Sequence, residues 1–211
     1  DSSAALIYGE FDNDFLRLNA DVVVNGKLYL ANDQDNILLG EYAGIGLTTG
    51  VENTIIGNAT GGATNEGSGN TFIGMYSGNM NTTGNQNVFI GVAAGHNSNA
   101  GSNNVAIGPG AGHGVTDGSN NVFVGLEAGY FEDGSNRLYI ENSSADSSAA
   151  LIYGEFDNDI VKLNGTIHVR DALIINPLDS APSNPEKGMM YMDAITNKLM
   201  VYDGTTWQAC W

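Results

Sequence analysis

NTFIGMYSGNMNTTGNQ (Asn70–Gln86) runs directly into NVFIGVAAGHNSNAGSN (Asn87–Asn103), and the two stretches align residue for residue. Outward from this pair, the same opening recurs as NILLG at Asn36, NTIIG at Asn53, NVAIG at Asn104 and NVFVG at Asn121, at a spacing of 17 residues. A glycine stands four residues after each Asn (Gly40, Gly57, Gly74, Gly91, Gly108, Gly125). Another stands eight residues after it (Gly44, Gly61, Gly78, Gly95, Gly112, Gly129), always behind a small residue such as Ser77 or Ala94. A fixed period of this size is the signature of a repeat architecture.

Seventeen residues are too few for a pair of helices, and the apolar run in each repeat is three residues long. Those three are mostly Val, Ile and Phe, which favour strands, and Gly and Asn on either side reach the backbone angles of turns at low cost. Each repeat therefore reads as one coil of a parallel β-solenoid: a short strand, a glycine corner, a second strand of small residues, then a loop. Stacking about six such coils sets like residues above one another at the ~4.8 Å strand spacing. The opening Asn column is expected to form an amide ladder between coils.

Side chains alternate faces along a strand. The first and third residues of each triplet, such as Val88 and Ile90, share one face and are expected to fill the inside of the coil. The middle column (Leu38, Ile55, Phe72, Phe89, Ala106, Phe123) then faces outward, and a continuous apolar stripe marks an interaction surface. A lone coil this thin offers little apolar burial against the cost of ordering its backbone. Closure about a threefold axis covers the stripe. The expectation is an intertwined homotrimer with Leu38, Ile55, Phe72, Phe89 and Phe123 at its interface.

The motif N-x-[FIA]-[IV]-G-x-x-[AST]-G resembles the head repeats of YadA-type trimeric adhesins, and similar repeats occur in the tail fibres of phages and contractile injection systems. The resemblance covers about half of the chain and implies a left-handed parallel β-roll assembled as a trimer. The repeat here is longer than that family's usual coil, so its loops must differ.

Composition narrows the function classes. The formal net charge is −17, and none of the seven Lys and Arg lies between Leu28 and Asn136. An acidic rod is a poor ligand for nucleic acid, which demands Lys and Arg to release counterions, and for anionic membrane surfaces. Self-repulsion instead favours solubility of a long assembly. No apolar run approaches the ~20 residues that span a bilayer, so no membrane insertion is expected. No signal peptide is evident. The opening DSSAALIYGEFDND recurs in mid-chain, so residue 1 reads as a processing boundary. The single cysteine, Cys210, builds no disulfide framework and is expected to be buried or incidental.

Asp1–Asp14 reappears unchanged as Asp146–Asp159, and the likeness continues loosely from FLRLNADVVV to IVKLNGTIHV. These copies bracket the solenoid. Strands are expected at Ala5–Phe11, Phe15–Leu18, Asp21–Val24 and Lys27–Leu30, the last two joined by the hairpin signal Asn25-Gly26. Asp12-Asn13-Asp14 and its copy Asp157-Asn158-Asp159 carry calcium-type oxygens but lack the rest of an EF-hand loop, so plain turns are expected. Near the end of the repeats, Asn136 arrives two residues early, consistent with an atypical terminal coil.

Asp171–Asn176 reads as a last strand before a Pro-rich connector. Beyond it, Met189–Asp193, Lys198–Tyr202 and Thr206–Cys210 alternate as three short strands. This tip resembles C-terminal modules of phage tail fibres, and it is too small to bury a core alone. The resulting plan is an N-terminal bracket (1–35), a β-roll (36–135), a second bracket (136–176), a linker (177–187) and a β tip (188–211).

Chemistry is sparse. His96 and His113 share one column and are weak candidates for a metal site between subunits. Neither they nor His168 has a partner in a nucleophile motif, and Cys210 lacks an activating helix start. Tyr191, Tyr202, Trp207 and Trp211 are candidates for stacking on sugars, with the core of a trimeric tip as the competing reading. No enzyme and no cofactor are expected. By analogy, the chain reads as the distal, extracellular, receptor-binding segment of a tail fibre, with a cell-surface glycan or protein and an upstream fibre or baseplate protein as partners. Alternatives are an adhesin head, a structural spacer, a depolymerase and an ice binder. The last needs a regular Thr array, and Thr60, Thr82 and Thr116 are read as falling in different columns.

Overall fold

The computed structural model describes Ile7–Glu10, Phe15–Leu18 and residues 34–210. The described residues are all-β, without a helix, so none crosses a membrane as a long apolar helix. Strands β1 (Ile7–Glu10) and β2 (Phe15–Leu18) pair antiparallel. Then β3 (Ile37–Leu39), β4 (Thr54–Ile56), β5 (Thr71–Ile73), β6 (Val88–Ile90), β7 (Val105–Ile107), β8 (Val122–Val124) and β9 (Arg137–Ile140) stack in parallel, each beside the next in sequence. Two further strands, β10 (Ile152–Glu155) and β11 (Ile160–Leu163), extend the same sheet antiparallel. The expected hairpin at Asn25-Gly26 and the turn Asp12-Asn13-Asp14 lie outside the described residues.

The period fixes the register: Val88 pairs with Val105, Phe89 with Ala106 and Ile90 with Ile107. Each triplet ends at a glycine corner. At Gly91 φ is +137°, and a Cβ there would lie 2.6 Å from the backbone of Gly108 on the next coil, so the corner admits no side chain. The expected second strand does not form. Ala93 and Gly95 have φ of 55° and 57°, and such left-handed residues turn the chain instead of extending it. The coils still bond there, through contacts such as Gly95 N–H to the Ala111 carbonyl at 2.9 Å.

The Asn column is buried and works through the backbone. Asn87 Nδ2 donates to the Gly101 carbonyl at 2.8 Å, closing its own coil. Its Oδ1 accepts from the Asn104 N–H at 2.9 Å, joining the next. Only at the first step is a side-chain-to-side-chain rung seen, from Asn53 Nδ2 to Asn36 Oδ1 at 3.0 Å. The amide ladder of the sequence reading is thus chiefly an amide-to-peptide ladder, which satisfies backbone groups that a thin coil would leave orphaned.

The facing of the strands is the reverse of the one expected. Ile55, Phe72, Ala106 and Phe123 are at most 1% exposed and form the solenoid's interior, with Phe89 beside them. Leu38, on the first rung, is 37% exposed. The first and third columns lie on the outer face, half-buried at Val88 and Ile90 and exposed at Leu39 and Ile107. Size explains the choice. A Cβ at Gly95 would come within 2.4 Å of the Phe89 ring, and one at Gly78 within 2.8 Å of Phe72. Ala94, Ala111, Ala128 and Ser77 are fully buried on the opposite wall. A large ring facing a small-residue-plus-glycine pair fills the narrow coil to native density. The Phe column is therefore core, not a trimer contact.

A second interior column is polar. Thr64, Asn81 and Ser98 are fully buried, and the Thr64 Oγ1, Asn81 Nδ2 and Oδ1, and Ser98 Oγ atoms have no hydrogen-bond partner. Apolar residues stand in the same column at Leu47 and Val115, the latter 2% exposed. At the C-terminal end the last coil is one residue short, not two: Phe123 pairs with Tyr139 and Val122 with Leu138. Arg137 stands where the repeating Asn would, and its backbone N–H donates to the Asn121 Oδ1 at 2.8 Å. Asn136 belongs one column earlier, where its φ of 62° matches Asn120 at 61°. The core continues into the bracket through Tyr139 and Tyr153, both buried, so the sheet crosses the expected boundary at 135 without a break.

The chain divides into two compact units, Asp1–Gly165 and Thr166–Trp211. In the second, β13 (Met190–Asp193), β14 (Lys198–Tyr202) and β15 (Trp207–Ala209) form an antiparallel meander, close to the expected strands. The expected strand at 171–176 is absent. A short β12 (Pro177–Leu178), inside the expected linker, instead pairs in parallel with β13. Cys210 is free and exposed.

Candidate receptor-binding surfaces

The outer face of the parallel sheet carries two columns set by the alternation of side chains. The first reads Ile37, Thr54, Thr71, Val88, Val105, Val122; the third reads Leu39, Ile56, Ile73, Ile90, Ile107, Val124, Ile140. Leu39, Ile107 and Ile140 are exposed and the other members of the third column are half-buried. Past the glycine corners, Met75, Val92 and Leu126 are exposed as well. The continuous apolar stripe anticipated for the Phe column thus exists, on the opposite parity.

In the column that follows the second glycine, the rings of three successive coils, His96, His113 and Tyr130, stack on one another. His96 and His113 lie 5.1 Å apart with an interplanar angle of 8°, and His113 and Tyr130 lie 4.5 Å apart at 6°. His96 Nδ1 sits 2.8 Å from Asn97 Oδ1. Burial, and then the neighbouring His96, hold the His113 imidazole below its usual range. Parallel stacking points the in-plane nitrogen lone pairs alongside each other, not at a common point between the rings. Among the described residues no group of three or more His, Cys, Asp or Glu side chains is placed to hold a metal ion. Asp157 of the second Asp-Asn-Asp turn faces Arg137, with 3.0 Å between Oδ1 and Nη1.

Thr82 and Thr116, expected in different columns, share one with Thr48, Asn65 and Asn99 at 17-residue steps, while Thr60 stands in another column, as expected. The column is not a free hydroxyl lattice. Thr82 Oγ1 donates to Asn99 Oδ1 at 2.5 Å, and Thr48 Oγ1 donates likewise to Asn65 Oδ1. Beside it runs an uncharged groove of about 400 Å³ lined by Ala63, Met80, Thr82, Asn97, Asn99 and Thr116.

In the second unit, Trp207 meets Tyr191 edge-on at 4.7 Å and Tyr202 at 5.3 Å. Tyr191 is buried, whereas Tyr202 and Trp207 are half-buried. The structure brings these three together and leaves Trp207 accessible on one side. Trp211 lies outside the described residues. The adjoining turn is rigid: Asp203 Oδ1 accepts from the N–H groups of Thr205 and Thr206, both at 2.8 Å. These bonds, with the Thr205 hydroxyl, hold the Asp203 carboxyl well below the usual carboxylate range.

Neither a family model, nor a curated protein, nor a solved structure matches this chain.

Proposed function

We propose that this chain is a structural and receptor-binding segment of a trimeric fibre, of the kind that attaches a phage tail or a contractile injection system to a cell surface. The observation that carries the reading is the apolar outer face of the solenoid, with Ile73, Ile90 and Ile107 in one column and Val88, Val105 and Val122 in the other. A stripe of this length on the surface calls for a partner. Its spacing repeats with the coil, so a second copy of the same chain presents matching rows. Three copies around one axis close the arrangement without leaving a growing edge. The likeness of the repeat to YadA-type heads supports the same assembly, now through these columns instead of the Phe column. The clustered Tyr191, Tyr202 and Trp207 offer an aromatic surface suited to a glycan.

The mass of the intact chain in solution tests the assembly. A trimer is expected, and Ile73→Lys with Ile90→Lys should dissociate it while each subunit keeps its strand content. A monomeric parent chain would overturn the fibre reading. A structural spacer is favoured over an adhesive surface at the Thr/Asn column, because the Thr48 and Thr82 hydroxyls bond along the rod. Release of reducing sugar from a capsule polysaccharide would make the chain a depolymerase instead.

A further inference from the structure

The shortened last coil leaves a notch where the loop from Asn142 to Ala150 folds back on the solenoid. There a pocket of about 150 Å³ is lined by Phe131, Glu132, Tyr139, Ala145, Asp146 and Ser147. We infer that this pocket binds one ring of a neutral, hydroxyl-rich glycan. The inference rests on the receptor-binding reading above and names a site and ligand class for it within the first unit.

The walls combine an apolar ring with fixed acceptors. Phe131 is 75% exposed, whereas Phe72, Phe89 and Phe123 are at most 2% exposed. Tyr130 meets it edge-on at 4.9 Å and 71°, which steadies the ring. Such a face suits the C–H surface of a sugar. The Glu132 carboxylate is held before any ligand arrives: Oε2 accepts from the Tyr139 hydroxyl at 2.8 Å, and Oε1 accepts from the Gly134 N–H at 2.8 Å. Asp146 Oδ1 is likewise fixed by the Ser148 N–H at 2.9 Å and hydroxyl at 2.6 Å. Preset acceptors lower the ordering cost of binding, and the small volume, with a ring beside convergent polar groups, suits a single sugar ring and no larger ligand.

Charge selects the ligand. The lining holds two carboxylates and no Lys or Arg, which disfavours sialylated, uronic or phosphorylated groups. A bare cation is less suited, since no group of three or more metal-ligating side chains occurs among the described residues and two aromatic rings occupy the rest of the wall. Hydroxyl donors over an aromatic face satisfy both features.

The test is saturation-transfer NMR of the intact chain with the methyl glycosides of glucose, galactose and N-acetylglucosamine, with N-acetylneuraminic acid as an acidic control. At least one neutral glycoside should receive transfer. Phe131→Ala and Asp146→Asn should each weaken it about tenfold or more, with the thermal melt retained, and Tyr42→Ala, at an exposed ring on the first coil, should leave it intact. Transfer lost with Trp207→Ala and kept with Phe131→Ala would overturn this pocket while leaving receptor binding in place. Transfer to the acidic sugar alone, or to none of the four, would also overturn the assignment. The fibre reading fails separately, on a monomeric mass.

Discussion

Asn81 and Asn87 are both fully buried asparagines six residues apart, and the coil treats them in opposite ways. Asn87 spends its amide on the Gly101 carbonyl and the Asn104 N–H. Replacing it with Ala leaves two interior backbone groups unpaired, at about 1–3 kcal/mol each. Asn81 has no partner at either polar atom, and Val115 fills the equivalent place two coils on. Asn81→Val should therefore raise stability by about 1–3 kcal/mol. Urea midpoints of the two variants, measured side by side, should move in opposite directions.

At the scale of the element, the strand, its length and its register are all legible in the text NVFIG, because the period is strict and the residue types favour strands. Which face turns inward is not legible from the triplet alone, since both parities are apolar. The deciding signal lies four to six residues downstream: the small residue and glycine at Ala94-Gly95 are the mould for the Phe89 ring. A count of volumes across the coil would have found it. The second strand failed for a different reason, as two left-handed residues in three at Ala93 and Gly95 cannot extend. The candidate site residues are partly readable: Trp207 stands out by type, whereas Glu132 and Asp146, 14 residues apart in sequence, meet in one pocket only through the fold. The stacked corner carries its own prediction. His113 titrates below its ordinary value of 6.5 in the folded chain, so folding favours the neutral ring. Its contribution is complete above that ordinary value and is lost as pH falls below it. The melting temperature should drop between pH 7.5 and 5, and His113→Phe should flatten that part of the profile.

For the whole molecule, stability accumulates coil upon coil, each bonded to its neighbours alone. Removing residues 70–86 joins Gly69 to Asn87 and preserves every column, so the shortened chain should still fold. Its melt should remain cooperative at a modestly lower temperature. Removing 16 residues from the middle of the rod should do far more damage, because the inward rings of one coil would meet the outward row of the next. Circular dichroism melts of the two deletions check the contrast. The short terminal coil escapes that penalty by losing its residue in the loop before β9, where Arg137 replaces the missing Asn as donor.

The unbroken 17-residue register has a hereditary corollary. A gene encoding such a rod can grow or shrink by seventeen codons through unequal exchange between neighbouring copies, and every product is a working length. The length of the solenoid then changes in whole steps, while the segments at its two ends pass unaltered from one length to the next.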